Sequence, residues 1–496
     1  MDPSRRTQCL STTRMALLEF IVNWTNDTTS EQKILWIYGL AGSGKSTVST
    51  TIASIFRDSG RLGAFLFFDR AVTERSDPTR VIKTLAHQLA TFDPRIEAAI
   101  RVAVERNPNM LMSPLPRQFQ TLILNPLSDE EHLAPIIVIV LDALDECGTK
   151  SERDALLEVL TQDSVKLPVA ICIVITSRAE RDIYNAFQSL PHILTYELDI
   201  TSSINRDDIS SYFRHRMLLI RTRNTHLLRG TEWPGEEAFH ELVQRACGLF
   251  VWAYTASEFI NGHSPMKRLE VILRGKKATS AEASLDALYK TALESAGDWD
   301  DEDLVKEFRD ILGIILVARQ PLSSAAIDAL LQSPEKIPSI HTISLLACLM
   351  QQGPTIRVLH PSFADFLMTK GRCGRDIWFF DGPTCHRHLA IQCMDRMDVF
   401  LKRNMCNMTL AINLTTECLP EAISYSCIFW IDHICLITDD FMPIVDRLQD
   451  FLFQHLIHWF EATSILRRSR DMISRLDQLL KWISVSCHQH NNLSLH

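Results

Sequence analysis

The sequence has few of the features that mark membrane proteins. Its longest apolar runs are short and lie at 136–141, 169–175 and 311–318. A helix that crosses a bilayer needs about 20 consecutive apolar residues, so we predict no membrane span. The chain also has no internal repeat with a period of about 20–50 residues, which argues against a propeller or a solenoid.

Positive charge is scarce as well. The chain has 51 Lys+Arg against 60 Asp+Glu, a net charge of −9 at pH 7. Nucleic acids and anionic membranes are bound through clustered cations, so this balance argues against a general affinity for either. A basic run at 214–229 is better explained by a solvated helix face or an internal ion-pair surface than by a nucleic-acid site. We therefore expect no nucleic-acid partner.

Paired cysteine motifs are missing. The 13 cysteines include no C-x-x-C pair, and Cys172 lies in an apolar stretch typical of a buried strand. Together with the lack of a signal-peptide pattern, this predicts free thiols and a reducing, cytoplasmic compartment. Apolar and charged contents of 46% and 22% are ordinary for a globular chain, and the length suggests about three domains.

The rest of the chain is arranged around residues 34–47, ILWIYGLAGSGKST. The apolar, β-prone residues Ile34 to Tyr38 predict a buried strand, and a glycine-rich loop and helix formers follow at once. Glycines let backbone N–H groups approach a polyphosphate closely. Lys45 is placed to reach the β- and γ-phosphates and Ser46 to ligate Mg²⁺, although a plain strand-to-helix turn is the alternative. The predicted nucleotide-binding residues here are Gly39, Gly42, Ser43, Gly44, Lys45, Ser46 and Thr47.

A second apolar strand, predicted at 136–141, ends in acidic residues. Asp142 follows it, and Asp145 and Glu146 come shortly after. An acid at the end of a strand beside a phosphate loop typically binds Mg²⁺ through its water shell. One of the two later acids can accept a proton from the water that attacks the γ-phosphate, and we favour Glu146. The alternative is a strand that simply ends in a polar turn.

Further strands are predicted at 63–68, 169–175 and 193–200. The run at 169–175 is followed by Thr176, Ser177 and Arg178. A polar residue there can sense the γ-phosphate and Arg178 can help neutralise it, or the arginine lies in solvent. Alternation of strands and helices predicts a five-stranded parallel sheet with its ligand at the C-terminal ends of the strands.

Beyond the predicted sheet the pattern becomes helical. A short hairpin is predicted at 353–360 and a helix at 362–368, so helices followed by a small β wing indicate a winged helix. We predict an N-terminal helix and linker at 1–30, a P-loop NTPase domain at 31–202, a helical domain at 203–297, a winged-helix-like domain at 298–370 and a helical C-terminal domain at 371–496.

A zinc site is an alternative use of the C-terminal histidines and cysteines. Cys385, His386, His388 and Cys393 form one group, and His455 and His458 another. Their spacing does not repeat as a paired-ligand site. Core packing on amphipathic helices explains these residues better.

Three motifs in order carry a family resemblance: GLAGSGKST at 39–47, VIVLDALDEC at 138–147 and ITSR at 175–178. They resemble the NACHT branch of the STAND nucleotide-binding switches, in particular the fungal proteins with a nephrocystin-like N-terminal NTPase that are related to heterokaryon-incompatibility proteins. Weaker likeness lies at 9–14, 67–70, 360–367, 424–434 and 451–466. The resemblance implies an ASCE-type α/β P-loop NTPase followed by helical and winged-helix lid domains and an all-α C-terminal region.

The resemblance further implies a cytoplasmic signalling switch with slow ATP hydrolysis that acts in non-self recognition or programmed cell death. Its cofactors would be ATP or ADP with Mg²⁺, and its partners other proteins and possible further copies of itself. Similar proteins place a winged-helix histidine against the β-phosphate, and His360 matches that motif. Many relatives use a Gly-x-Pro near the lid to contact adenine, whereas this sequence has Gly248-Leu249-Phe250.

Two other functions stay open. Related fungal proteins carry a signalling domain before the NTPase and repeats after it, and neither pattern is present here, so a truncated regulator or a non-hydrolysing, nucleotide-bound interaction scaffold is the alternative. A metabolic kinase ranks third, because we find no motif for an acceptor substrate.

Overall fold

The computed structural model describes residues 6–27, 29–128, 136–228, 232–275, 277–332, 338–406 and 419–493. The chain divides into two compact units, Met1–Leu288 and Tyr289–His496. The first unit contains the predicted phosphate loop, and the second contains His360.

A parallel sheet forms the centre of the first unit. Its strands are β1 Ile34–Tyr38, β2 Leu62–Phe67, β3 Ile137–Asp142, β4 Ile171–Ser177 and β5 Ile193–Glu197. They are ordered β2-β3-β4-β1-β5, and all neighbours are parallel. Strand β4 therefore lies between the strand of the phosphate loop and the strand of Asp142, which is the ASCE arrangement. The predicted fold class of an α/β P-loop NTPase followed by helical regions is confirmed.

The strands read as near-continuous apolar runs because both faces of the sheet are covered. Every residue of β3 and β4 is buried. On one face the core includes side chains of the first two helices, such as Ile21 and Val48, and on the other it includes Leu85 and Phe187. Two-sided burial of this kind fixes the strand ends, and with them the site at their C-terminal edge.

Strand boundaries differ from the prediction where polar residues are buried. Strand β3 includes Asp142, and β4 starts at Ile171 and runs on to Ser177, whereas Val169 is exposed outside it. The polar ends stay in the sheet because their side chains are paired: Thr176 Oγ1 donates to Asp142 Oδ1 and Trp36 Nε1 donates to Ser177 Oγ. Buried polar groups persist when they are hydrogen-bonded.

Helices connect and cover the strands of the first unit, and the boundary between the two units falls within the last of them. They are α1 Met15–Asn26, α2 Lys45–Asp58, α3 Thr73–Ser76, α4 Val81–Phe92, α5 Pro94–Arg106, α6 Leu115–Phe119, α7 Asn125–Leu127, α8 Lys150–Glu158, α9 Arg181–Phe187, α10 Ser203–Arg223, α11 Thr225–Leu228, α12 Glu236–Arg245, α13 Phe250–Ile260, α14 Pro265–Arg274 and α15 Ala281–Glu294. The basic run lies on α10 and α11.

The second unit is mostly helical. Its helices are α16 Glu302–Val317, α17 Ser324–Leu331, α18 Ser339–Leu345, α19 Pro361–Leu367, α20 Lys370–Cys373, α21 Gly382–Phe400, α22 Glu421–Ile434, α23 Met442–Ile465 and α24 Ser469–Leu493. A small antiparallel hairpin lies between α18 and α19, with strands β6 Met350–Gln351 and β7 Arg357–Val358. The hairpin thus starts before the predicted residue 353, because Gly353 and Pro354 form its turn rather than its first strand.

Two predictions from composition, free thiols and no membrane span, can be compared with the structure. Within the described part of the chain, cysteines such as Cys172 and Cys393 have no disulfide, but Cys406 is disulfide-bonded, so the prediction of free thiols is wrong at that residue. Sequence spacing does not reveal such a pairing, because it depends on which segments meet in the fold. Within the described ranges, no helix is long and apolar enough to cross a membrane.

Candidate functional site

The phosphate loop joins β1 to α2 and is shaped by glycines. Gly42 and Gly44 have φ angles of 80° and 94°, in the left-handed region that glycine adopts without strain. A Cβ on Gly42 would lie 2.1 Å from Val251 Cγ1. The loop therefore requires glycine at position 42 for two reasons, its backbone conformation and the close approach of α13.

Lys45 lies across this loop. Its Nζ donates to the carbonyl oxygens of Gly39 and Leu40, at 2.8 Å each. Burial lowers the pKa of Lys45 to about 8, and the nearby Asp145 carboxylate opposes that shift. The ammonium group is thus dehydrated and close to the positions where the sequence predicts phosphate oxygens.

The loop has the groups that an anion needs. The side chain of Ser43 is buried, and its Oγ has no hydrogen-bond partner in the part of the chain that the structure describes. Gly44 is the N-cap of α2 and supplies no side-chain cap, so the N-terminus of α2 is open to an anion, with the Thr47 N–H bonded to the Gly44 carbonyl oxygen at 3.1 Å. Unpaired N–H groups and the helix dipole favour negative charge at such a terminus. The residues present therefore fit a nucleotide phosphate chain.

Asp142 ends β3 and is fully buried. Its Oδ1 accepts a hydrogen bond of 2.6 Å from Thr176 Oγ1, and its Oδ2 lies 2.8 Å from Arg6 Nη1. The first contact links the ends of two neighbouring strands. The second comes from the N-terminal lead, which the sequence had not connected with this acid.

The two acids that follow β3 lie in a short turn, Leu144–Glu146, and have different partners. Asp145 Oδ1 accepts a 2.9 Å hydrogen bond from the N–H of Arg178, whose Nε lies 3.3 Å from Asp145 Oδ2. Glu146 Oε2 accepts a longer bond, 3.3 Å, from the N–H of Arg70. Burial raises the pKa of Glu146 to about 7. The predicted base is therefore the less constrained acid and titrates near neutral pH.

The buried side chain of Arg153 donates hydrogen bonds to the backbone of this turn. Its side chain is 1% exposed, and its Nη1 donates to the carbonyl oxygens of Leu144, Asp145 and Cys147 at 2.9–3.4 Å. Its Nη2 pairs with Glu180 Oε2 at 2.9 Å and with Asp182 Oδ2 at 2.7 Å. Arg153 thereby connects the turn after β3 to the segment after β4.

The start of α13 contacts the phosphate loop. The N–H of Val251 donates to the carbonyl oxygen of Gly42 at 3.1 Å. The Phe250 ring lies near Gly44, and the guanidinium of Arg14 lies 4.9 Å from the ring centroid. An aromatic side chain therefore lies beside the phosphate loop at the end of Gly248-Leu249-Phe250.

His360 lies in the second unit and caps a helix. It is the N-cap of α19, and its Nδ1 accepts a hydrogen bond of 3.2 Å from the N–H of Ser362. Its Nδ1 also lies 2.6 Å from Ser362 Oγ. A local structural role for one ring nitrogen is therefore established, and the predicted contact with a phosphate stays a prediction.

Two of the histidines considered for zinc, His386 and His455, have other partners. His386 Nδ1 lies 2.8 Å from His433 Nδ1, and His433 Nε2 lies 2.7 Å from the hydroxyl of Tyr425. His455 Nε2 lies 3.5 Å from Asp398 Oδ1. Across the described ranges, no three His, Cys, Asp or Glu side chains are grouped so that they could bind a metal ion.

The sequence identified the loop, Asp142, the two acids and Arg178, and the structure brings all of them to one edge of the sheet. The sequence did not identify Arg6, Arg153 or Val251 as residues of the site. For Arg6 the sequence offered one indication: it is a basic residue just before the segment 9–14, which shows weak likeness to the family. For Arg153 there was none, because an arginine in a helical stretch usually lies in solvent.

Comparison with known proteins agrees with this geometry. Residues 17–178 match the family described as nephrocystin 3, N-terminal. Over 487 residues the chain is 23% identical to the vegetative incompatibility protein HET-E-1 of Podospora anserina, covering 90% of this chain and 34% of that protein. These matches make the chain similar to the NACHT-like STAND proteins. The resemblance predicted from the sequence is thereby confirmed, and the chain spans about a third of the length of the curated relative that it matches.

Two solved structures resemble the NACHT-like chain at low TM-scores. A STAND protein with a tetratricopeptide repeat sensor from Pyrococcus horikoshii aligns with a TM-score of 0.43 and 13% identity, over 98% of this chain and 66% of that one. Cdc6p from Pyrobaculum aerophilum aligns with a TM-score of 0.34 and 13% identity, over 72% of this chain and 92% of that one. Scores this low do not establish a shared overall fold, so the fold assignment depends on the strand order.

Proposed function

We propose that this NACHT-like protein is a nucleotide-dependent signalling switch that binds ATP or ADP and hydrolyses ATP slowly. One observation carries the proposal: the glycine loop, Lys45, Asp142 and the Asp145–Glu146 turn all lie at the C-terminal edge of one parallel sheet. Ligands of open α/β sheets bind at that edge. The nucleotide's phosphates would bind to the loop's N–H groups and to the Lys45 ammonium.

Each remaining residue has a role in this proposal. Ser46 and Asp142 would bind Mg²⁺, which when present neutralises charge on the phosphates. Glu146 would accept the proton of the attacking water, because its pKa near 7 lets it exchange a proton at neutral pH. Arg178 would stabilise charge on the γ-phosphate only after it loosens from Asp145. That requirement supports slow turnover.

The nucleotide would then act as a signal. A bound ligand shifts a conformational equilibrium only through its different affinities for two states, so ATP and ADP would favour different arrangements and different protein partners or self-association. The relative named above is a vegetative incompatibility protein, and we propose a related cytoplasmic role in non-self recognition or cell-death signalling. His360 would contact ADP in the closed form.

A non-hydrolysing scaffold is the second candidate. The contact of Arg6 with Asp142 supports it, because a cation already pairs with the acid that Mg²⁺ would use. In that case the protein would retain nucleotide without turning it over.

Lys45→Met tests the proposal, since methionine keeps most of the side-chain volume and removes the charge. We expect loss of co-purifying nucleotide, measured by mass spectrometry, with an unfolding temperature equal to or above that of the parent. Lys166→Met is the matched control, because Lys166 is 59% exposed and pairs with Asp163 at the surface. Nucleotide bound to Lys45→Met at parent levels would refute the site. ADP recovered from the parent with slow turnover supports the switch, whereas nucleotide without turnover supports the scaffold.

A further inference from the structure

The N-terminal lead reaches the acid that is expected to bind the metal. Arg6 Nη1 lies 2.8 Å from Asp142 Oδ2, and Asp142 is fully buried while Arg6 is 28% exposed. A hydrogen bond between a guanidinium and a carboxylate is among the stronger ones in proteins. The pair therefore joins residues 136 positions apart in the sequence at the centre of the candidate site.

The arginine is held in place by its surroundings. Its Cζ lies 4.3 Å from the centroid of the Phe67 ring, and Phe67 pairs directly with Asp142 across β2 and β3. A cation over an aromatic face adds a favourable contact. The position of the Arg6 side chain thus depends on two neighbouring strand ends.

The residues that follow Arg6 lie along α2 and end at the phosphate loop. Gln8 Nε2 donates to Ser54 Oγ at 3.3 Å, and the N–H of Cys9 donates to Thr51 Oγ1 at 2.8 Å. Arg14 Nη2 donates to the carbonyl oxygen of Ser43 at 2.7 Å. We call residues 6–14 the N-terminal strap. One end of the strap contacts the predicted metal ligand and the other contacts the phosphate loop.

The two oxygens of Asp142 have different partners. Oδ1 accepts a short bond from the buried Thr176 hydroxyl within the sheet, whereas Oδ2 pairs with the partly exposed Arg6. We therefore expect a water bound to Mg²⁺ to donate to Oδ2, where Arg6 is bound. Two cations cannot use one carboxylate oxygen in the same direction, because their charges repel at contact distance. Binding of the Arg6 guanidinium and of hydrated Mg²⁺ should therefore be mutually exclusive.

We propose that Arg6 is an internal competitor of Mg²⁺ and that binding of the Mg²⁺–nucleotide complex releases the Arg6 end of the strap. This inference deepens the proposed function and rests on it. The consequence is a regulated site: Arg6 weakens Mg²⁺–nucleotide binding, and the metal-bound nucleotide exposes the N-terminal lead. A signal at the nucleotide is thereby passed to the segment that precedes the NTPase fold.

Affinity for a fluorescent ATP analogue, measured in Mg²⁺ and in EDTA, tests the competition. The measured quantity is the dissociation constant in EDTA divided by that in Mg²⁺. Arg6→Ala should increase this ratio by about tenfold, the effect of removing one charge-assisted hydrogen bond. The increase should come from tighter binding in Mg²⁺, with the dissociation constant in EDTA unchanged. Gln8→Ala is the matched control on the same strap and should leave the ratio unchanged. An unchanged ratio in Arg6→Ala overturns the inference, and so does weaker binding in both buffers, which would mean that Arg6 contacts the nucleotide.

Trypsin cleavage of the parent chain after Arg6 gives a second measurement. The protease must bind the Arg6 side chain, so cleavage of the 6–7 bond, followed by mass spectrometry, should be faster with Mg²⁺ and a non-hydrolysable ATP analogue than with the analogue in EDTA. Equal rates with nucleotide bound in both buffers would overturn release of the strap. If the parent binds no nucleotide in either buffer, the proposed function fails instead.

Discussion

Arg178 binds Asp145 through both its backbone and its side chain. The N–H donates to Oδ1 at 2.9 Å, and Nε lies 3.3 Å from Oδ2, so both carboxylate oxygens of Asp145 are occupied. Arg178 therefore occupies the positions on Asp145 from which a water molecule would be contacted. Glu146 is therefore the better candidate for the base, and Asp145 positions the arginine.

Glu146 should control the pH dependence of hydrolysis. Its pKa of about 7 means that the carboxylate able to accept a proton is lost as pH falls below 7. We expect turnover to decrease about tenfold per pH unit on the acidic side and to level off above. Glu146→Gln should keep ATP bound and abolish turnover, while Glu158→Gln, an exposed change on α8, should behave like the parent. Equal hydrolysis by Glu146→Gln and parent would place the base elsewhere.

The same shift predicts an effect on stability. The folded pKa is raised from the ordinary 4.5 to about 7, so the folded state binds the proton more tightly and loses stability as pH rises through that range. Without nucleotide, Glu146→Gln should therefore unfold at a higher temperature than the parent at pH 8 and at a similar temperature at pH 5. Thermal unfolding at the two pH values measures the difference.

Arg153 should be essential for the geometry of the acidic turn. Removing one partner from a buried ion pair leaves the others unpaired and costs about 3 kcal/mol. We expect that loss in the free energy of unfolding of Arg153→Ala, with partial recovery in Arg153→Lys. Arg274→Ala, which removes an exposed pair with Glu270, should change it by about 0.5 kcal/mol or less. A loss of about 0.5 kcal/mol or less in the free energy of unfolding of Arg153→Ala would show that the turn does not depend on Arg153.

The paired histidines of the second unit should make it sensitive to acid. Burial lowers the pKa of His386 to about 4 and holds that of His433 well below its ordinary value, and the Arg319 charge adds to both shifts. The unfolded chain binds these protons near pH 6.5, so stability is lost as pH falls from 6.5 toward 4. His386→Asn should reduce this slope by up to about 1.4 kcal/mol per pH unit. His341→Asn, an exposed histidine in the same unit, should not.

Two variants of His360 separate its roles. Asparagine is a good N-cap, so His360→Asn should keep the start of α19 intact, whereas His360→Ala should cost about 1 kcal/mol of stability. If the imidazole also contacts ADP, both variants should release ADP faster and self-associate more, as measured by fluorescence and light scattering. Unchanged ADP release in His360→Asn would leave only the structural role.

The sheet and the loop could be predicted because their signals are local. Parallel strands covered on both faces appear as apolar runs, and a phosphate-binding glycine loop is recognised from a few consecutive residues. The strands β3 and β4 end one or two residues later than predicted, because Asp142, Thr176 and Ser177 are polar but buried in the sheet. Their burial is explained by their hydrogen-bond partners, which the sequence does not show. Arg6 and Arg153 were missed for a related reason, since charged residues are buried only where distant segments supply their partners.

The hydrogen bond from Val251 to Gly42 joins two main-chain atoms. No side-chain atom takes part in this bond, so substitutions at position 251 other than proline, which lacks the donor, retain both bonding groups. Position 42 differs, because a Cβ there would lie 2.1 Å from Val251 Cγ1. With glycine at that position, a displacement of α13 acts directly on the backbone of the loop.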